Sequence, residues 1–304
     1  MIRKIKNIIK TMGIYHGARY IFHIFKMKVF SFNLFEDFYH YQSYKYLEKF
    51  YRDFKSFNPK LSAKNLDFPK KCWIMWWQGE ENAPEIVKRT LQSIRKNINE
   101  FEIILLTEEN LLDYVDLPER IFKLFSTKRM SFAHFSDIVR TYLLYFYGGL
   151  WIDATCFLTD KVPNFILDSD LFFFQDTVAS VTFLPISNWF IYSNNPNNYV
   201  LEKLLYGLIF YWNKKSTICD YFLYHVLFKY FMETDNKFKI NVDKMPYYCN
   251  SEPHVLQKNL FTMFNQEKWN LFLSSSFCHK LTYKYTQERE KDTFIDYILL
   301  NKEV

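Results

Sequence analysis

Ser136, Asp137 and Arg140 fall within one helical turn and a quarter of each other, and Asp153 and Thr155 follow after a short apolar run. Asp137 and Arg140 are three residues apart, a spacing that projects both side chains from one face of a helix. Leu150, Trp151 and Ile152 read as a short strand, and Asp153 stands at its carboxyl end, where ligands bind in open α/β sheets. A carboxylate there can hold a divalent cation that bridges two phosphates, as oxygen-liganded Mg²⁺ and Mn²⁺ do. The same residues also suit a plainer arrangement, an i,i+3 ion pair and an aspartate capping a turn. Spacing alone does not choose between the two.

The elements needed to hold these residues are legible nearby. Cys72 to Trp77 is a buried-strand pattern that ends at Gln78-Gly79. Pro84 opens a helix whose stripe is Val87, Leu91, Ile94 and Ile98. A second strand is expected at Ile103 to Leu106, with Thr107 as a helix cap. A further helix is expected from about Phe132 to Tyr147, stopped by Gly148-Gly149. Strands alternating with helices imply an α/β sheet, at least partly parallel. The aromatic-rich stretch from Tyr15 to about Phe57 looks helical, and Asn58-Pro59 and Phe68-Pro69 bracket a linker. The expected division is a helical extension over residues 1–62 and a main domain over 63–304. Within the latter, a further division into 63–187 and 188–304 is expected.

Composition excludes several classes. In 304 residues, 49% are hydrophobic and 24% charged, which is ordinary for a globular chain and unlike a disordered one. Aromatics reach 21%, enough to fill a core and leave ring faces for a ligand. The five cysteines are scattered, with no C-x-x-C pair; this argues against a disulfide framework or a structural zinc site and suits a reducing cytoplasm. The uncharged run Thr141 to Ile152 is shorter than the roughly 20 residues of a membrane span. The net charge of +6 is concentrated at one end: residues 1–30 carry seven basic residues and no acid, which leaves 32 basic against 33 acidic elsewhere. Ile2, Ile5, Ile8, Ile9 and Met12 oppose Arg3, Lys4, Lys6 and Lys10 on a helical wheel. That stripe suits an anionic membrane surface, and equally a terminal helix packed on its own domain. Nucleic-acid binding is not expected, since the charge is confined to one terminus and no nucleic-acid motif follows.

The string S-D-x-x-R-x-x-x-L-x-x-x-G-G-x-W-x-D-A-T, from Ser136 to Thr155, resembles the signature of the capsular polysaccharide synthesis proteins. These are similar to glycosyltransferase family 32 and, more distantly, to the glucosyltransferase domains of clostridial toxins. Pro69 to Gly79 resembles the first strand of those enzymes with its Trp-x-Gly end, and Cys278-His279-Lys280-Leu281 resembles a late element. The resemblance runs from about Pro69 to Lys284 and leaves residues 1 to about 60 outside. It implies a GT-A-type Rossmann-like sandwich and a nucleotide-sugar donor, with a UDP-sugar as the leading candidate, and a Mn²⁺ or Mg²⁺ ion. It implies that Trp77, with Gln78 and Gly79, meets the donor's base, although a core tryptophan would suit the same position. It implies that Ser136, Asp137 and Arg140 meet the donor's sugar and that Asp153 is the first acid of a D-x-D motif. The second acid of that motif is Thr155 here, a poor ligand for Mn²⁺. His279 matches a late metal-binding histidine and Lys284, five residues on, a diphosphate-neutralising lysine, with Lys280 as another cation. His254 and His225 read as capping and core residues, and Asp220 as a solvated helix acid or one that faces the acceptor.

The expectation is therefore a glycosyltransferase on the cytoplasmic face of the plasma membrane, extending a capsule or related surface glycan on a lipid-linked acceptor. Asp153, Asp137 and Arg140 are its expected catalytic centre, and Asp153 with His279 its metal ligands. The resemblance implies retention of configuration, and no pair of acids stands out for the two-carboxylate chemistry of hydrolases. Two alternatives stay open: a non-catalytic glycan-binding scaffold, for which Thr155 argues, and a sugar-phosphate transferase.

Overall fold

The structure, a computed structural model, describes residues 13–14, 32–65, 70–176, 182–286 and 290–300. The basic amphipathic segment expected at residues 1–30 lies outside the described residues, apart from 13 and 14. The described strands are β1 (Lys71–Met75), β2 (Glu102–Leu106), β3 (Gly149–Ile152), β4 (Cys156–Leu158), β5 (Leu171–Gln175), β6 (Ile186–Ser193) and β7 (Cys278–Lys280). Around them run α1 (Phe32–Phe50), α2 (Glu85–Asn97), α3 (Phe132–Tyr147), α4 (Tyr199–Lys214), α5 (Leu223–Thr234), α6 (Gln266–Ser275) and α7 (Phe294–Leu300), with shorter helical turns between.

Five strands form the central sheet in the order β2-β1-β3-β6-β5. β1 is parallel to β2 and β3, while β6 is antiparallel to β3 and β5. Because side chains alternate along a strand, the pairing builds one row on each face. Trp73, Trp151, Ile191 and Phe173 line up on one face, and Cys72, Leu150, Tyr192 and Phe172 on the other. The first row packs into a cluster with α1, α3, α4 and α5. The second packs under α2, α6, α7 and the small β4–β7 sheet. Strands covered on both sides need apolar residues at every position, which is why Cys72 to Met75 of β1 and Leu150 to Ile152 of β3 read as unbroken apolar runs. The result is the helix–sheet–helix α/β sandwich expected from the sequence.

The path from α3 into β3 depends on two glycines. Ser131 caps the start of α3 by accepting from the His134 N–H at 3.4 Å, and Gly148, at φ 67°, ends it. Gly149 follows at φ 90°, and a Cβ there would stand 2.1 Å from the Lys71 carbonyl oxygen. A side chain at Gly149 would therefore push β3 off β1.

Several expectations are corrected. Thr107 caps no helix; its Oγ1 accepts from the Glu109 N–H, and its own N–H donates to Asn110 Oδ1, so it closes a turn. Among the described residues before 62/63, Leu47, Tyr51 and Phe54 pack in the main core, and the Tyr39 hydroxyl donates to the Cys219 carbonyl at 2.7 Å. The division at 187/188 falls inside β6, so the two halves share a strand. Asp220 is not solvated. It is fully buried beneath α1, 2.8 Å from His40 Nδ1.

Candidate active site

The site grows from the carboxyl end of β3. Trp151 and Asp153 are two residues apart and so share a face, and the Trp151 Nε1–H donates to Asp153 Oδ1 at 2.9 Å. Arg140, one turn above on α3, lays its guanidinium 4.9 Å from the centre of the Trp151 ring and 3.4 Å from Asp153 Oδ1. It also donates to Ser136 Oγ at 2.9 Å and to the Asn188 carbonyl. A guanidinium presents its donors in a rigid fork and stacks on aromatic faces; Arg140 uses both properties and is only 5% exposed. Asp137 lies 3.7 Å from both Arg140 Nη2 and His134 Nδ1. Its Oδ1 accepts from Asn188 Nδ2 at 2.8 Å. The spacing-based pairing of Asp137 with Arg140 on one helix face is what the fold builds.

Lys280 completes the row from the opposite side of the sheet. β7 is held to β4 by antiparallel pairing of Cys156 with Lys280 and Phe157 with His279, and the Leu281 N–H donates to the Thr155 carbonyl at 2.9 Å. The lysine's Nζ then lies 2.6 Å from Asp153 Oδ2 and 2.7 Å from Thr155 Oγ1. Burial opposes ionisation of Asp153, yet Lys280 and then Arg140 hold its carboxyl below the usual carboxylate range. Burial likewise opposes the Lys280 charge, and Asp153 overcomes it, raising the ammonium above its ordinary value. The outcome is a row of alternating charge, Asp137, Arg140, Asp153, Lys280, with Ser136, Asn188, Trp151 and Thr155 as its neutral supports.

His279 does not join this row. Neighbours on a strand point to opposite faces, so Lys280 facing Asp153 turns His279 into the layer beneath. There it is fully buried with Nε2 3.3 Å from Thr159 Oγ1, and burial lowers its pKa to about 4. The expected Asp153–His279 metal pair is therefore not formed. Nor do the other donors fit a divalent cation: Asp153 is the row's carboxylate at this end, Thr155 is a neutral hydroxyl, and an ammonium already bonds both. Among the described residues no three His, Cys, Asp or Glu side chains gather to hold a metal ion. Asp160, exposed, accepts from the adjacent Lys161 N–H and does not supply the missing acid.

At the end of β1, Trp77 is half-buried, with near-perpendicular ring contacts to Phe125 at 5.0 Å and Phe135 at 5.9 Å. Phe132, 5.8 Å away, is half exposed, so this aromatic cluster reaches the surface. Gln78 is exposed, and Gly79 takes φ 77° in the turn that follows. Lys284 is exposed on the segment after β7, its Nζ 5.7 Å from the Tyr283 ring, which in turn contacts Trp76 at 5.2 Å. Lys284 thus lies towards the β1 end and outside the charged row. Sequence reasoning missed Asn188 and His134 as partners of Asp137, and Trp151 as the platform under Arg140. The i,i+2 spacing of Trp151 and Asp153 was the available signal for the last; Asn188 had none, because β6 reaches the site through long-range pairing.

Comparisons with known proteins identify relatives of this chain. The family described as capsular polysaccharide synthesis protein matches residues 26–298, extending beyond the 69–284 window of the sequence motifs at both ends. A protein named O-glycosyltransferase braB, from Annulohypoxylon truncatum, is 33% identical over 120 residues, covering 35% of this chain and 26% of that protein. The chain thus spans about a quarter of that relative's length. Among solved structures, one titled PaToxG Glycosyltransferase aligns with a TM-score of 0.39 at 14% identity, over 68% of this chain and 84% of that one.

Proposed function

Because the chain belongs to the capsular polysaccharide synthesis protein family, we propose that it is a glycosyltransferase that moves a sugar from a nucleotide-sugar donor to a glycan acceptor. The observation that carries this reading is the alternating row Asp137–Arg140–Asp153–Lys280 at the carboxyl end of β3. In this reading the donor's base lies against Trp77 beside Gln78 and Gly79, its diphosphate meets Lys280, and Lys284 adds positive charge at the rim. Ser136, Asp137 and Arg140 line the sugar's pocket, with Asp137 accepting from a hydroxyl. The acceptor is a lipid-linked glycan, and UDP is the nucleotide to test first.

A panel of nucleotide sugars tests the reading. A donor at a hundredfold excess over its Kd stabilises the fold by about 2.7 kcal/mol, and slow release of nucleoside diphosphate in water would report bond cleavage. No stabilisation and no release by any donor would contradict it. A nucleoside diphosphate that binds without any donor being cleaved would favour a glycan-binding scaffold, and phosphorus in the new linkage a sugar-phosphate transferase.

The reading includes attachment to the cytoplasmic face of an anionic membrane through residues 1–30, supported by their seven basic residues and lack of acids. Among the described residues no helix is long and apolar enough to cross a membrane. Removing residues 1–30 is expected to abolish sedimentation with phosphatidylserine liposomes while nucleotide binding persists; equal sedimentation would remove this part of the proposal.

A further inference from the structure

The residues at the end of β3 leave a divalent cation without a place, and Lys280 stands where one would be needed. Its Nζ bridges the two side-chain oxygens of the D-A-T turn, 2.6 Å from Asp153 and 2.7 Å from Thr155. An ammonium has three N–H donors; these two bonds use two of them. Its position is fixed by main-chain pairing rather than by a flexible stem: Lys280 is the β7 partner of Cys156, and the next residue, Leu281, bonds the Thr155 carbonyl. Thr90 Oγ1 donates to the Ala154 carbonyl at 2.5 Å, anchoring the turn from α2. The Lys280 side chain is 18% exposed and that of Asp153 is 25% exposed, so the pair lies at the lip of the site. Arg140, the row's other cation, is 6% exposed in its side chain and already bonds Ser136 and Asn188.

Building on the transferase reading, we propose that Lys280 is the built-in cation of this site: it receives the donor's diphosphate directly, and no divalent metal is needed. The step balances without one. The bond from the anomeric carbon to the diphosphate oxygen breaks with its electron pair staying on the diphosphate. A new bond forms to the acceptor's hydroxyl oxygen, whose proton passes to the departing diphosphate. Lys280 keeps its own proton throughout and offers its third N–H to the phosphate oxygen on which charge develops, a preorganised electrostatic role. Thr155 then has a function that an acid could not serve as well. A hydroxyl orients Lys280 without adding a second negative charge next to the incoming phosphates.

The test is binding of UDP, GDP, ADP, CDP and inorganic pyrophosphate to the full chain by calorimetry, in EDTA and in Mn²⁺, with Mn²⁺ uptake followed by electron paramagnetic resonance. The expected result is that the best nucleoside diphosphate binds the wild type in EDTA within about threefold of its affinity in Mn²⁺, and that the Mn²⁺ signal stays that of the nucleotide complex alone. Lys280→Gln is expected to weaken binding in EDTA about 10- to 100-fold, the range for a lost charge-assisted hydrogen bond, while Lys280→Arg retains most of it. A wild type whose affinity falls more than tenfold in EDTA would overturn the proposal and leave the transferase reading standing. So would unchanged binding by Lys280→Gln. Absence of binding by every nucleotide in either condition would sink both.

Discussion

The two faces of the central sheet treat ionisable groups in opposite ways. On the face under α3, Asp137, Arg140 and Asp153 each lie within 3.7 Å of a side chain of opposite charge type, and Lys280 and then Arg140 hold the Asp153 carboxyl below its usual range against burial. On the face under α2 and α6, burial wins where no opposite charge pairs with the group. The thiols of Cys72 and Cys278 are pushed far up, and His279 is held neutral with a pKa near 4. Lys280 leaves the second layer for the first, and it is charged because it reaches Asp153. His225, on α5, is the first layer's exception, with burial lowering its pKa to about 4 and Nδ1 lacking a hydrogen bond. The difference teaches which titratable residues to assign to chemistry. A paired, partly exposed charge at a strand end can act on a ligand, whereas an unpaired buried imidazole is packing.

The contrast can be broken at either face. Asp153→Asn strikes the charged one hardest, since it leaves Arg140 and Lys280 without their shared partner. Sugar transfer is expected to fall about 100- to 1000-fold, with stability lowered by about 1–3 kcal/mol given the site's partial exposure. Transfer rates and urea midpoints check both, and near-normal transfer would detach the row from function. His279→Leu probes the neutral face through pH. His279 titrates near 4 when folded and near 6.5 unfolded. Below 6.5 the unfolded chain therefore binds the extra proton, and stability drops as pH falls towards 4. The wild type is expected to lose up to roughly 3 kcal/mol through this group alone, and His279→Leu to lose that much less over the same interval. Urea midpoints at pH 7 and pH 5 capture about 2 kcal/mol of it; parallel curves for the two proteins would show that His279 titrates normally. Trp77→Ala is the mildest: losing a ring stacked on a base costs roughly 1–3 kcal/mol, or about 5- to 150-fold in donor affinity. A fall in melting temperature with unchanged affinity would return Trp77 to the core.

What could be read from the sequence was what is local. The helix Phe132–Tyr147, its glycine stop and the strand that follows are announced within some twenty residues by apolar pattern and by the Gly148-Gly149 pair. The 3.7 Å approach of Asp137 to Arg140 follows from helical spacing. The β4–β7 sheet was not legible, because each strand is three residues long and its partner lies more than a hundred residues away. That sheet decides which of His279 and Lys280 faces Asp153, and a shift of one residue in strand register exchanges two neighbours between faces. A spacing match to a late histidine therefore pointed one residue away from the group that the fold delivers. Asp220 was misread for a similar reason: its burial comes from α1, 180 residues earlier in the chain.

The most direct measurement is a crystal structure of the full chain with its best-binding nucleoside diphosphate, grown in EDTA. The account predicts a phosphate oxygen within about 3.2 Å of Lys280 Nζ, the base against Trp77, and Asp153 still bonded to Trp151 and Lys280. A diphosphate bound away from the end of β3, or a Lys280 side chain swung off Asp153 with the nucleotide in place, would contradict it.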